Sequence, residues 1–192
     1  MVRLDTDTRQ RQIAEAALKI IGEQGLGRFT TAAIAAEVGI SEGTIFRHFE
    51  SKEAIVHGAM DRVEALLFDD FPPEAPDPLA RLGVFFRDRA TLFLAQPALG
   101  QVVFSEQLVH AAGEAGAERV EEWKRRNVAF VRACLDDAAE AGLLRPGVSP
   151  GGLVHVVHGS LLSLAMLRRA WGAAGDRVER TWSTLEALLR RS

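Results

Sequence analysis

Apolar residues recur along this chain three and four positions apart, and no run alternates in the two-residue rhythm of a half-buried strand, so the pattern predicts an all-helical fold. The first amphipathic run spans about Asp7 to Gln24, with Ile13, Ala17, Leu18 and Ile21 on one stripe. Thr30 to Phe49 fits two short helices crossing at a tight turn: Ile34, Val38, Ile40 and Ile45 fall where they bury against each other, and Ala35 where only a small side chain fits. Ser51 is a good N-cap for the next helix, which carries Ile55, Ala59, Val63 and Leu66 or Leu67 on one face to about Phe68. Pro72, Pro73, Pro76 and Pro78 then cluster, and no helix continues through them. Asp77 and Pro78 read as N-cap and first residue of a new helix, apolar at Leu79, Leu82, Phe85, Phe86 and Phe93 and stopped near Pro97.

The second half continues the pattern. A shorter helix is expected from about Leu99 to Ala111, and a long one from about Glu114 to Ala141, ended by Gly142. The long helix shows Val120, Trp123, Phe130, Val131, Cys134, Leu135 and Ala138 on a broad stripe that a single polar residue, Asn127, interrupts. Ser149 and Pro150 open a helix to about Trp171 that is apolar on more than one side, and such a helix has to be covered nearly all round. The last, from Asp176, has Val178, Trp182, Leu185 and Leu189 in register. No internal repeat or low-complexity segment is present.

The most informative stretch is Thr30 to Phe49. With Gly39 supplying the permissive backbone of the turn, Ser41 as N-cap and Glu42 in the dipole-favoured first turn, its spacing is that of a helix-turn-helix. In that geometry the second helix projects its exposed side chains into the DNA major groove. Glu42, Gly43, Thr44 and Arg47 are placed at base edges or the adjoining backbone, with Phe46 and His48 close by. Arg47 can pair bidentately with guanine, and Thr44 can reach a thymine methyl or a phosphate. Thr30 or Thr31 caps the first motif helix, and Lys52 stands at the start of the following helix, where phosphate is attracted.

The run TTAAIAAEVGISEGTIFRHFESKEAI resembles the DNA-binding domain of the TetR family of bacterial transcriptional regulators. The family's usual run appears here as Thr30 or Thr31, Ile34-Ala35, Gly39-Ile40-Ser41, Gly43-Thr44, Phe46, His48-Phe49, Lys52 and Ile55, with unbroken spacing. The family commonly has tyrosine at Phe46, so one phosphate hydrogen bond is missing here. The resemblance implies a helix-turn-helix domain over residues 1–50, a regulatory and dimerisation body over 51–192, and about nine helices in all. It further implies a homodimer that packs its last two helices against the partner's, and an inducer cavity in the body. Composition supports the dimer separately: Gly152, His155, Gly159 and Ser163 form a small-residue seam, to which Trp182 and Leu185 of the last helix are added. Phe86, Phe93, Phe104, Trp123 and Phe130 are candidate walls of the cavity, and Gln107, His110 and Asn127 candidates to orient a ligand.

Composition narrows the alternatives. Apolar residues at 47% and charged residues at 26% are those of a globular protein, and no stretch reaches the roughly 20 apolar residues of a membrane span. The start MVRLDTDTRQ lacks a signal peptide's apolar core, so a cytoplasmic location is expected. The net charge of −3 runs against DNA binding, because DNA-binding domains are usually basic, and in residues 1–62 eight Lys and Arg face nine Asp and Glu. Binding must then rely on where charges point: Arg47 and Lys52 beside the recognition helix, and Arg3, Arg9 and Arg11 on an N-terminal arm. Cys134 alone excludes an internal disulfide and reads as a core residue.

His110, His155 and His158 could suggest a metal, with Glu106 as a further ligand, but without an HExxH, a cysteine pair or a carboxylate cluster, ordinary core or interface histidines are favoured. No phosphate loop or nucleophile elbow points to catalysis. The expected protein is therefore not an enzyme and needs no cofactor or metal. It is a homodimeric regulator, a repressor released from a double-stranded DNA operator when a small hydrophobic or amphipathic inducer shifts the helix from Ser51 to Phe68. A DNA-binding dimer without an inducer, architectural or protein-regulated, is the alternative, and a metal-dependent enzyme built on the three histidines a more remote one.

Overall fold

Short polar side chains begin the helices. Thr30, Ser41, Ser51 and Asp77 each adopt extended backbone and accept the amide of the residue three places on, respectively Ala33, Thr44, Ala54 and Ala80. Each such cap satisfies a donor that the helix cannot, and contributes about 1 kcal/mol. The computed structural model describes residues 6–103, 107–166 and 174–191. Among them the order is α1 (Thr6–Gln24), a 3-10 turn (Leu26–Arg28), α2 (Thr31–Val38), α3 (Glu42–Ile45), α4 (Lys52–Phe68), α5 (Pro78–Ala95), α6 (Pro97–Val103), α7 (Gln107–Glu140), α8 (Pro150–Met166) and α9 (Ala174–Leu189). The all-helical expectation holds, with one isolated bridge between Leu144 and Arg190 as the extended pairing among the described residues.

Three boundaries differ from the sequence pattern. Pro97 opens α6 instead of merely stopping α5, since proline fits the first helical turn, and α6 ends at Val103, short of Ala111. Residues 107–112 join the long helix, which breaks at Gly113, where φ is 66° and ψ is −162°. That conformation excludes ordinary side chains, so the regular run starts at Glu114 only in the sense of resuming there. The expected end of α8 at Trp171 lies outside the described residues.

The chain divides into two compact units, residues 1–69 with 98–121 and residues 70–97 with 122–192. In the first, α1 packs on α2 and on α4, which buries Ile13, Ala17, Ile20 and Ile21 from α1 with Ile34, Ile45, Ile55, Ala59, Met60 and Val63. The Arg62 side chain on α4 donates to Glu15 on α1 at 2.8 Å. In the second unit, α5 packs on α8 and α9 around a core that includes Leu79, Leu82, Phe85, Phe86, Val131, Cys134, Leu135, Val157 and Trp182. Cys134 is fully buried there as expected, and burial pushes its thiol pKa up, away from reactivity.

Gly22 marks a close approach inside the first unit. A Cβ there would stand 2.6 Å from the Ala98 carbonyl oxygen and 2.8 Å from the Ala98 Cα. Backbone atoms cannot swing aside as a long side chain can, so Gly22→Ala should destabilise by about 1–3 kcal/mol despite alanine's better helix propensity. Urea denaturation followed by circular dichroism measures this, and an unchanged midpoint would show that α6 gives way freely.

Candidate nucleic-acid interface

Gly39 holds φ at 74° and ψ at 39°, the left-handed conformation that ends α2 and turns the chain toward α3. The Gly39 and Ile40 amides both donate to the Ala35 carbonyl, which closes the turn. Ile34, Ala35 and Ile45 are buried between the helices, as their spacing requires, whereas Val38 and Ile40 are only half-buried. The two threonines divide the roles left open between them: Thr30 is the cap of α2, and Thr31 Oγ1 donates to Glu42 Oε2 at 2.6 Å across the turn. Glu42 is thereby tied to α2 while remaining exposed.

The recognition segment is short. Regular helix covers Glu42–Ile45, and the chain continues as a turn in which the His48 and Phe49 amides donate to the Ile45 carbonyl. Ser41 Oγ accepts from the Thr44 amide and lies 2.9 Å from Thr44 Oγ1, which in turn accepts from Arg47 Nη2 at 2.9 Å. Ser41, Thr44 and Arg47 thus form one hydroxyl–guanidinium chain on the outside of the segment. Phe46 is 52% exposed beside it, an unusual cost for a phenylalanine unless another surface covers it. Gly43 is exposed with open space where a side chain would stand. The His48 ring is half-buried, its Nδ1 has no partner in the chain, and its carbonyl accepts from Gln10 Nε2 at 3.1 Å. Phe49 anchors the segment against α4, where a side chain at Gly58 would meet its ring at 2.7 Å. Lys52 Nζ lies 4.8 Å from the centre of the Phe29 ring, held near the motif while exposed.

The arm expected at the N-terminus is corrected in part. Arg9 and Arg11 belong to α1, where Arg9 donates to Gln12 one turn on, and Arg3 lies outside the described residues. The helix extends this far because its first turn already carries helix-compatible residues and Asp7 favours the positive end of the dipole. Lys19 is paired with Glu37, which raises its pKa through that hydrogen bond.

The body places its candidate residues unevenly. Phe86, Phe93 and Trp123 are buried, and Phe86 packs on Trp182 with ring centres 5.6 Å apart. Trp182 is only 1% exposed, so its expected place on the dimer face is corrected: the indole fills the space that Gly83 leaves open between α5 and α9. His110 is exposed and belongs, with Gln107, to the first unit, whereas Asn127 and Phe130 belong to the second. Phe104 and the Gln107 side chain lie outside the described residues. Asn127 is satisfied by the protein, donating to the Trp123 carbonyl at 2.7 Å and accepting from Arg89 Nε at 3.3 Å. Arg89 was missed by the sequence reading although it sits on the apolar face of α5, one turn from both Phe85 and Phe93. His158 Nδ1 bonds the Val154 carbonyl at 2.9 Å, and burial lowers its pKa.

On α8, Gly152, His155, Val156, Gly159, Leu162, Ser163 and Met166 are all exposed and recur at helical spacing, so its outer face is an apolar and small-residue stripe. His155, Gly159, Ser163 and Leu185 line an open groove of about 720 Å³ between α8 and α9. Leu185 is largely buried but still borders that groove.

Residues 13–59 match the family model of bacterial regulatory proteins, tetR family. Over 62 residues the chain is 39% identical to the nucleoid occlusion factor SlmA of Pasteurella multocida, a match of 32% of this chain and 31% of that protein. The chain therefore spans about a third of the length of the curated relatives it matches. Its fold is similar to that of the ketosteroid transcriptional regulator KstR2 of Mycobacterium tuberculosis, with a TM-score of 0.78, 20% identity, and coverage of 100% of this chain and 98% of that one. It is also similar to a transcriptional regulator from Saccharomonospora viridis in complex with choline, with a TM-score of 0.72, 20% identity, and coverage of 97% and 100%. Head and fold together define an all-helical protein with a helix-turn-helix head. The helix-turn-helix head matches the tetR family of bacterial regulatory proteins, and the whole chain shares the fold of solved transcriptional regulators.

Arg47 is the side chain whose loss should be most legible. Arg47→Ala removes a pre-positioned guanidinium and should weaken binding to a selected DNA site by about 1–3 kcal/mol while relaxing preference at one base pair. Binding titrations on selected and random duplexes check this, and an equal loss on both would make Arg47 a phosphate contact.

Proposed function

We propose that this protein is a homodimeric transcriptional repressor that leaves its operator when a small hydrophobic or amphipathic ligand binds its body. The observation that carries the DNA part is the exposed Ser41–Thr44–Arg47 chain with Phe46 beside it, braced from behind by Thr31, Gln10 and Phe49. Glu42, Gly43, Thr44, Phe46 and Arg47 meet the major groove, while Thr30, Thr31, Ser41, His48 and Lys52 position them or contact the backbone. One such short segment reads few base pairs, so two heads are needed to select a site.

The outer stripe of α8 with the α8–α9 groove is proposed as the dimer face. Its exposed Val156, Leu162 and Met166 are 47%, 41% and 45% exposed, more apolar surface than a lone helix face usually leaves open. Gly152, Gly159 and Ser163 let a second backbone approach closely. Trp182 supports this face from inside the core. A ligand that binds one arrangement of the two heads better than the other shifts the population toward it, and DNA weakens ligand binding by the same factor.

The head's likeness to a nucleoid occlusion factor favours a second reading, a DNA-binding dimer that needs no small molecule. No helix among the described residues is long and apolar enough to cross a membrane, and the proposed site of action is the cytoplasm.

Two measurements test the reading. Gly159→Glu places a carboxylate in open space on one protomer but inside the proposed dimer, so it should give monomers in sedimentation equilibrium and lose binding to a two-half-site operator. An intact dimer would move the interface elsewhere. A thermal-shift screen of diverse hydrophobic compounds, followed by operator titration, should yield at least one compound that stabilises the protein and releases DNA. Tight operator binding that no stabilising compound changes would favour the ligand-independent dimer.

A further inference from the structure

We propose that Phe46 reads the methyl group of a thymine in the major groove, which makes it a specificity-determining residue of the recognition segment. The proposal rests on the DNA-binding reading and deepens it by naming the base that this side chain selects.

Around the segment, side chains follow helical order, with successive residues about 100° apart. Ile45 marks the inward direction, since it is fully buried. Counted round from it, Glu42 and Phe46 fall on one flank, Thr44 falls on the other, and Gly43 and Arg47 face away from the core. Phe46 belongs to this arrangement through its backbone: φ is −67° and ψ is −8°, and its amide donates to the Glu42 carbonyl at 3.3 Å. Gly43 therefore stands between Phe46 and Arg47. A Cβ added there would meet only the Ser41 hydroxyl, at 4.0 Å. Without a side chain at its outermost point, the segment can lie close to base edges, with an aromatic ring on one side and a guanidinium on the other.

The ring is left to the outside. Among the described residues Phe46 is the one exposed phenylalanine or tryptophan, and the Arg47 guanidinium beside it is engaged with Thr44 Oγ1. A phenyl ring carries no N–H, O–H or lone pair, so it cannot read the hydrogen-bonding pattern of a base pair. The apolar group that the natural base pairs present in the major groove is the thymine methyl. A phosphate is a less suitable neighbour. The ring has no donor for it, and the Glu42 carboxylate lies on the same flank, held there by Thr31 Oγ1 at 2.6 Å. Contact between methyl and ring removes apolar surface of both from water, which offsets the cost of leaving Phe46 exposed on the free protein. Because Phe46 and Arg47 are successive residues, the selected thymine is expected close to the guanine that Arg47 contacts.

The test begins with a duplex selected from a random pool by the full chain. Each thymine of that site is replaced singly by deoxyuridine, which removes the methyl and leaves the pairing unchanged. Affinities are then measured at fixed salt for the wild type, Phe46→Ala, Phe46→Leu and Arg47→Ala. The expected result is at least one thymine at which uracil weakens the wild type about fourfold, equivalent to roughly 0.8 kcal/mol for one carbon removed from an apolar contact. Phe46→Ala should bind the thymine and uracil duplexes alike, and Phe46→Leu should keep part of the preference. Arg47→Ala should keep it while binding both duplexes more weakly. Equal thermal unfolding midpoints of the wild type and Phe46→Ala establish that the variant is folded. A methyl effect that persists in Phe46→Ala would assign the methyl to another side chain and overturn the proposal, with DNA binding intact. The absence of any methyl effect in the wild type would overturn it as well, and equal weakening of all duplexes by Phe46→Ala would then make the ring a sugar contact. Failure to select any duplex would overturn the DNA-binding reading itself, and this proposal with it.

Discussion

A single left-handed residue supports the functional end of this molecule. Gly39 turns the chain between α2 and α3 in a conformation that costs an L-residue roughly 1 kcal/mol or more, and the direction of the turn places Ile34 and Ile45 against each other. Once the helices cross there, Thr31 reaches Glu42, Ser41 caps α3, and Thr44 and Arg47 share one hydroxyl on the outside. The recognition segment is itself too short to hold a helical shape in water. Its geometry comes from the buried isoleucine beneath it, the hydroxyl cap before it and Phe49 pinned at Gly58 after it.

The head works with little net charge. Basic residues that would otherwise attract DNA without discrimination are paired, Lys19 with Glu37 and Arg62 with Glu15. Arg47, Lys52 and the exposed Phe46 remain at the motif. That distribution suits a protein that must recognise a few sites, because non-specific affinity grows with every unpaired cation and specific affinity with every placed side chain. The missing phenol at Phe46 fits the same economy, trading one phosphate hydrogen bond for apolar surface.

The second unit shows two tensions of opposite kind. Its α8 leaves valine, leucine and methionine side chains in water, and its α5 takes an arginine out of water. The first would be relieved by the proposed association, since two such faces remove each other's apolar area from solvent. The second is met by contacts that include ring faces and Asn127. Both are departures from simple burial, and departures of this sort are where binding surfaces are found.

How much of this was legible beforehand depended on range. Local chemistry determined what it could reach: the caps at Ser41, Ser51 and Asp77, the turn at Gly39, the proline break after Phe68 and the all-helical class follow from residues within one turn of each other. Resemblance extended that to the head's role. Pairings between distant segments were not legible. Nothing near Thr31 announces Glu42 as its partner, and Trp182 was assigned to the dimer face because the space beside Gly83, far away in the sequence, exists only once α5 and α9 pack. Arg89 was likewise passed over in a stripe of phenylalanines, although a charge in apolar register was the signal, and its meaning came with Asn127 and Phe71 brought beside it. The sequence by itself determined the elements and the motif, because those are settled by backbone propensity and short-range hydrogen bonds. Only the tertiary structure decided which apolar faces were covered and which charges were taken from water, because those depend on what each surface meets.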